Sequence, residues 1–375
     1  MVPIMNKNKG WYGIAFLILI WLMNSVSATY GQQKTVALFS PGVVENQFWA
    51  NLIDVTEAAC NDLNMNLEVY YCDDDPDLLA KKLNQATSAQ SRPDAVLVPG
   101  MLGYGERFLK IANENKTPIF TINIGVDADE AGKPREKYEY WIGQLVPDDT
   151  EAGYLLADKL VNAAIEGNAA ANSGGKIKIY AIAGRKADPP AIERVEGLKN
   201  AVGQYPQAEI VKLDYSNWTA AQAREKTEAA LGEYPDVSVI WAASDQMALA
   251  ISNMVRRQGR SINDDIYIGG IDWTIDAINA VSNSELTTTV GGHLIEGGWA
   301  SVLLFDYFNG KDFASEALMM QTPMNVIDQA NVAAYQDMFG DKKWGRINFT
   351  LYSKVHKPNL KNYKFTLETM LVQLR

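Results

Sequence analysis

Short apolar runs rich in β-branched residues recur along the chain, each followed by a longer stretch whose apolar positions return every three or four residues. Runs of the first kind read as buried strands and stretches of the second kind as amphipathic helices. Strands are predicted over 35–39, 67–71, 95–98, 118–122 and 138–142. Helices are predicted over 46–63, from Pro76, and near 104–115. Asn46 and Asp75 are capping candidates, and Pro76 suits a first helical position. The rhythm restarts after Pro147. A helix over 149–166, capped by Asp148 or Asp149, leads to strands at 176–182, 209–213, 237–242, 266–271 and 286–290. Helices at 189–203, 219–232 and 245–258 lie between them. Two such series predict two similar α/β lobes, each a parallel sheet covered on both faces.

Open α/β sheets bind ligands beyond the carboxyl ends of their strands. The polar and aromatic residues just after each strand are therefore the candidates. In the first lobe these are Glu45, Asn46, Phe48, Trp49 and Asn123. In the second they are Arg185 and Asp188, Asn217 and Trp218, Ser244 and Asp245, Asp272 and Trp273, with His293 after the last short strand. Aromatic faces stack on the C–H faces of sugar rings, while carboxylates and amides hold the hydroxyl rim. Each residue has a plainer reading. Asp245 could only cap the helix behind it, Trp273 could pack beneath one, and Asn123 could be a turn residue. Phe48 and Trp49, being adjacent, cannot share a helix face, so one of them is a core candidate.

The amino terminus changes where this chemistry is expected to operate. Lys7 and Lys9 precede an uncharged apolar run of about 13 residues, Trp11 to Met23, and Val26-Ser27-Ala28 offers small residues for cleavage. This is the layout of a secretory signal peptide over 1–28. The run is short of the roughly 20 residues that span a bilayer, which argues against the alternative of an uncleaved anchor. The remaining chain exceeds the roughly 250–300 residues at which single cores stop growing, again implying two domains. The net charge of −11 argues against a nucleic-acid partner. In an oxidising compartment Cys60 and Cys72 invite a disulfide. However, Cys60 falls near a helix end, and Cys72 lies roughly 17 Å along the following strand. That exceeds the roughly 7 Å bridging limit, so two buried thiols are expected.

Five segments, NQFW at 46–49, PIFTIN at 118–123, DPPAIERVEGL at 188–198, ASDQMALA at 243–250 and GGIDWT at 269–274, resemble in order and spacing the type I periplasmic binding proteins, the family of ribose- and galactose-binding proteins. The likeness spans roughly 34–323. It implies two doubly wound parallel-sheet lobes joined by a three-crossing hinge, with crossings near 146–148, 291–292 and 322–323. The first lobe would be 34–147 plus 291–322, the second 148–290 plus 323–340, and 341–375 a basic tail. The resemblance implies a periplasmic protein that closes on a sugar or sugar-like ligand and presents it to an ABC permease, without enzymatic activity or a cofactor, as a monomer. It places ligand contacts on Phe48, Trp49, Asn123, Asp188, Trp218, Ser244 or Asp245, Asp272, and Gly292 or His293.

There are departures from the family pattern. Ile192 stands where sugar binders usually carry arginine, with Arg185 or Arg194 as substitutes, and Pro99-Gly100-Met101 replaces a polar residue after the third strand. The ligand's identity is thereby left open. Asn123 and the segment 125–140 also resemble the periplasmic receptor for autoinducer-2, which serves a membrane sensor kinase, so a sensor subunit is the alternative.

An enzyme would need a nucleophile with a base, or a metal site. The chain has only His293 and His356 and no HExxH, CxxC or GxSxG motif. From Asp341 onward eight basic residues face two acidic ones, interleaved with aromatics. The tail reads either as a segment packed across the lobes or as a docking surface for a membrane partner.

Overall fold

The computed structural model describes residues 33–42, 46–172, 174–366 and 369–370. The expected leader, 1–28, and Glu45 lie outside them. Among the described residues no helix is long and apolar enough to cross a membrane.

The first series runs β1 (Thr35–Ser40), α1 (Gln47–Asp62), β2 (Asn66–Tyr71), α2 (Pro76–Ser88), β3 (Ala95–Val98), α3 (Gly105–Glu114), β4 (Ile119–Ile122), α4 (Ala128–Ala131) and β5 (Trp141–Pro147). The second runs α5 (Asp149–Glu166), β6 (Ile177–Ala183), α6 (Pro189–Val202), β7 (Ala208–Tyr215), α7 (Ala220–Glu233), β8 (Val239–Ala242), α8 (Asp245–Arg257), β9 (Tyr267–Ile271), α9 (Ile275–Ser282) and β10 (Thr288–Gly291). Then follow α10 (Glu296–Phe308), β11 (Met319–Thr322), β12 (Asn325–Asp328) and α11 (Val332–Phe339). One six-stranded sheet is ordered β11-β5-β4-β3-β1-β2 and the other β12-β10-β9-β8-β6-β7. Every pairing is parallel except β10 with β12. The buried runs of β3, β4 and β8 have every residue covered, as expected of strands with helices on both faces. The fifth strand starts at Trp141, not at 138. Tyr138 is held outside it by its hydroxyl bond to Glu106, and the Arg135 N–H turns back to the Trp141 carbonyl.

The chain leaves the first sheet at Pro147, returns between Gly291 and α10, which packs on α1, and passes again between Thr322 and Asn325. A fourth passage, not expected from the sequence, follows α11. That helix packs on α9 of the second lobe, yet the turn at Trp344–Arg346 lies on α1 of the first. Beyond it the tail wraps α10. Trp299 is ringed by Phe349, Tyr352 and Phe365, with centroids 5.9, 4.7 and 4.8 Å away. The buried Asp306 carboxylate accepts from the Ser353 hydroxyl (2.5 Å), the Lys354 N–H (2.6 Å) and the Tyr363 hydroxyl (2.9 Å).

Both cysteines are free and buried on opposite faces of the first sheet, Cys60 under α10 and Cys72 among the residues facing α2 and α3. Burial is the main cause that pushes each thiol up to about 11.

Candidate functional site

The residues that follow the strands share an uncommon backbone. Asn123 (φ 65°), Trp218 (φ 63°) and Asp272 (φ 138°) all take positive φ, as does Gly292 (φ 137°). Side chains other than glycine rarely do so, and such positions cluster at binding sites, where the surrounding fold holds them. Here ladder-like bonds do the holding: Asn123 N–H donates to Leu145 O (3.1 Å) and Asp272 N–H to Val290 O (2.8 Å).

These residues join into one relay of contacts across the cleft. Arg185 lies 3.5 Å from Asp188 Oδ2, and that oxygen accepts from Trp218 Nε1 at 2.7 Å. The Trp218 ring faces the Arg194 guanidinium at 5.8 Å. Arg194 reaches Asp272 Oδ1 at 3.5 Å, and the same oxygen lies 3.4 Å from His293 Nε2. The His293 ring tilts on Phe48 at 4.7 Å, and Phe48 meets Trp49 edge-on at 5.4 Å. Asn46 stands behind, its side chain accepting from Trp49 N–H as the cap of α1. Phe48 and Trp218 are partly exposed and come from opposite lobes, whereas Trp49 is 7% exposed and packs against Gly42.

Arg194 sits at the centre because α5 and α6 cross closely. A Cβ on Gly153 would lie 1.9 Å from Arg194 O, and one on Gly197 would lie 1.9 Å from Thr150 O. The buried guanidinium is matched by Asp149 at 2.6 Å and donates to Ala243 O at 2.6 Å. Asp149 is free for this because Asp148 is the cap of α5, accepting from Glu151 N–H. Asp245 is fully buried. Its carboxylate accepts from the Thr274 N–H (2.8 Å), the Thr274 hydroxyl (3.2 Å) and the Thr289 hydroxyl (2.7 Å), so it braces three strand ends below the cleft, while Ser244 caps α8. Burial pushes the carboxyls of Asp245 and Asp272 upward. The charge of Asp272 adds to the first effect, and Arg194 opposes the second. Burial lowers His293 to about 3, so its ring is neutral at physiological pH.

Two pairs bridge the lobes at the rim. Gln47 Nε2 donates to Asp276 Oδ2 at 2.6 Å, and Arg185 Nη2 to Asp74 Oδ2 at 2.8 Å. The structure is therefore a closed form.

A family model described as a periplasmic binding protein domain matches residues 36–312. The chain belongs to the periplasmic binding protein family. A periplasmic sugar-binding protein from Pseudomonas fluorescens superposes with a TM-score of 0.80 at 26% identity, covering 91% of this chain and all of that one. The D-apiose import binding protein of Paraburkholderia graminis is 23% identical over 76% of this chain and 84% of its own length. The ribose import binding protein of Escherichia coli is 24% identical over 72% and 82%.

Within this binding-protein fold, the packing decides two alternatives that the sequence left open. Trp273 is not a stacking platform: it is fully buried against Tyr335 and Phe339 of α11, because the turn at Asp272 directs the next side chain away from the cleft. The tail is not a free docking surface, since its aromatics fill the first lobe. Sequence reasoning missed Asp149, concealed in an Asp-Asp cap doublet, and Glu296, which follows no strand directly. Ile192, at the usual arginine position, is 52% exposed.

Proposed function

We propose that this protein is a periplasmic receptor that closes its two lobes around an uncharged sugar or close relative and presents it to an ABC permease. The observation that carries this reading is the pairing of partly exposed aromatic faces from opposite lobes, Phe48 and Trp218, with a polar floor whose charges are already balanced. The buried cation, Arg194, is compensated by Asp149 and Asp272. A phosphate or sugar acid would find no uncompensated positive charge there, whereas hydroxyl groups would find donors and acceptors around aromatic walls. Membership of a family of solute-binding proteins supports binding rather than catalysis. Secretion by cleavage of 1–28 and a monomeric state belong to the same proposal. The tail, one reading of which was a docking surface for a membrane partner, is packed on the first lobe and supports transport no less well than sensing.

Differential scanning fluorimetry against ribose, apiose, arabinose, galactose, galacturonate and ribose 5-phosphate tests the reading. A neutral sugar at 100 times its dissociation constant should add about 2.7 kcal/mol of stability. A larger shift with the acid or the phosphate would overturn it.

A further inference from the structure

The floor of the cleft holds buried polar atoms that the protein leaves unmatched. His293 and Glu296 stand three residues apart in the turn that leads into α10, so they share a face. Glu296 is fully buried, and among the described residues neither carboxyl oxygen has a partner in hydrogen-bond geometry. His293 Nδ1 and the hydroxyl of Thr322, at the end of β11, are unpartnered too. Buried polar groups are nearly always matched, and an unmatched one is costly. A leucine at 296 would fill similar space without that cost. The nearby Asp188 and Asp245 carboxylates, by contrast, each accept bonds from within the protein.

We propose that Glu296 is a ligand-binding residue, its carboxyl forming with His293 Nδ1 and the Thr322 hydroxyl a hydrogen-bonding subsite for hydroxyl groups of the neutral sugar. This rests on the sugar-receptor reading and adds a specificity determinant to it.

The surroundings define what each group offers. Burial holds the Glu296 carboxyl well above the usual carboxylate range, and Asp149 reinforces this. The Thr322 hydroxyl and the Asn123 N–H lie near enough to pull the other way without meeting the carboxyl in hydrogen-bond geometry, and Arg194 pulls with them. The charged groups acting on it are thus Asp149 on α5 and Arg194 on α6. Towards α1, the following Gly297 lies closest to Leu52 and Thr56, neither of which is charged. A protonated carboxyl gives one oxygen that donates and one that accepts. His293 is neutral, and the tautomer that donates from Nε2 towards Asp272 leaves Nδ1 as an acceptor. A sugar hydroxyl, both donor and acceptor, matches this set. A carboxylate or phosphate, which can only accept, would leave His293 Nδ1 unmatched.

The test is titration calorimetry of wild type, Glu296→Leu and Glu296→Gln with ribose, apiose, arabinose and galactose, alongside melting of the unliganded proteins. Glu296→Leu should melt no lower than wild type yet bind at least tenfold more weakly, the opposite of what a purely structural residue shows. Glu296→Gln keeps a donor and an acceptor. It should retain binding while losing the fall in affinity expected of wild type as pH rises and the carboxyl ionises. Glu296→Leu binding like wild type, or melting lower with affinity intact, overturns the proposal. Should Glu296→Leu not fold, a decline in affinity with rising pH in Glu296→Gln equal to that of wild type overturns it. Wild type that binds none of the four sugars overturns the sugar reading as well, an outcome distinct from unaltered variants.

Discussion

Arg194 Nε lies 2.6 Å from Asp149 Oδ1 with both side chains almost wholly buried, and this pair joins α5 to α6 directly beneath the cleft. Removing one partner strands a buried charge, at a cost of about 3–5 kcal/mol. Asp149→Ala is therefore expected to lower unfolding free energy by that order in urea denaturation. The double variant Asp149→Leu/Arg194→Met should recover part of the loss, since only Asp272, which can take up a proton, is left without its cation. Both should bind ligand poorly, because the guanidinium under Trp218 is displaced or absent.

Trp218 is the partly exposed aromatic wall of the second lobe, and its ring lies over Gly184, where a Cβ would come within 2.1 Å of it. A ring–sugar contact is worth on the order of 1 kcal/mol beyond its buried area, and each 1.4 kcal/mol is about tenfold in affinity. Trp218→Ala should weaken binding at least tenfold in calorimetry, with a smaller stability loss than Trp241→Ala in the core. Gly184→Ala should weaken binding as well, although it removes no side chain, because the indole has to move. Unchanged affinity in Gly184→Ala would separate Trp218 from the ligand.

The two sheets were legible because their strands are unbroken apolar runs, a pattern that requires covering on both faces. The strand-end rule gathered Asp188, Trp218, Asp272 and His293, and they do form one contact chain. The rule fails one residue further on. The positive φ of Asp272 and Trp273 reverses the chain, and no sequence signal separates the cleft-facing Asp272 from the core-facing Trp273. Asp149 was hidden because two adjacent aspartates both fit a capping pattern and only the packing decides between them. The tail's role depends on Trp299 and Asp306, which lie about 50 residues upstream, a separation that local periodicity does not bridge.

That tail carries a prediction that follows from the packed reading and not from that of an independent docking element. Trp344, Phe349 and Tyr352 are each at most 4% exposed, and removing one such aromatic from a core costs about 3–5 kcal/mol. Removing all three would consume a typical net stability of about 5–15 kcal/mol. Truncation before Asp341 should therefore give insoluble or molten protein, read by loss of near-ultraviolet circular dichroism. Phe349→Ala alone should fold with a reduced melting temperature. A truncated chain that stays folded and binds ligand would return the tail to the role of a detachable docking segment.

His293 gives the stability a pH signature whose sign is fixed by its burial. Its folded value is lowered to about 3 from an ordinary 6.5, so between these limits the unfolded chain binds a proton that the folded one refuses. Stability contributed through this group is complete above about 6.5 and is lost as pH falls towards 3. Asp272 and Asp245, raised by burial, act oppositely: their folded forms hold protons longer, so their contribution weakens as pH rises through the range above 3.8. Whole-protein profiles mix the two slopes, but a pair of variants separates them. The stability of wild type relative to His293→Gln, measured by urea denaturation at intervals from pH 4 to 8, should rise with pH up to about 6.5 and then level off. A difference that stays constant over that range would mean that folding leaves the proton affinity of His293 unchanged, and so that burial does not hold its ring neutral with Nδ1 as the acceptor assigned to it in the cleft.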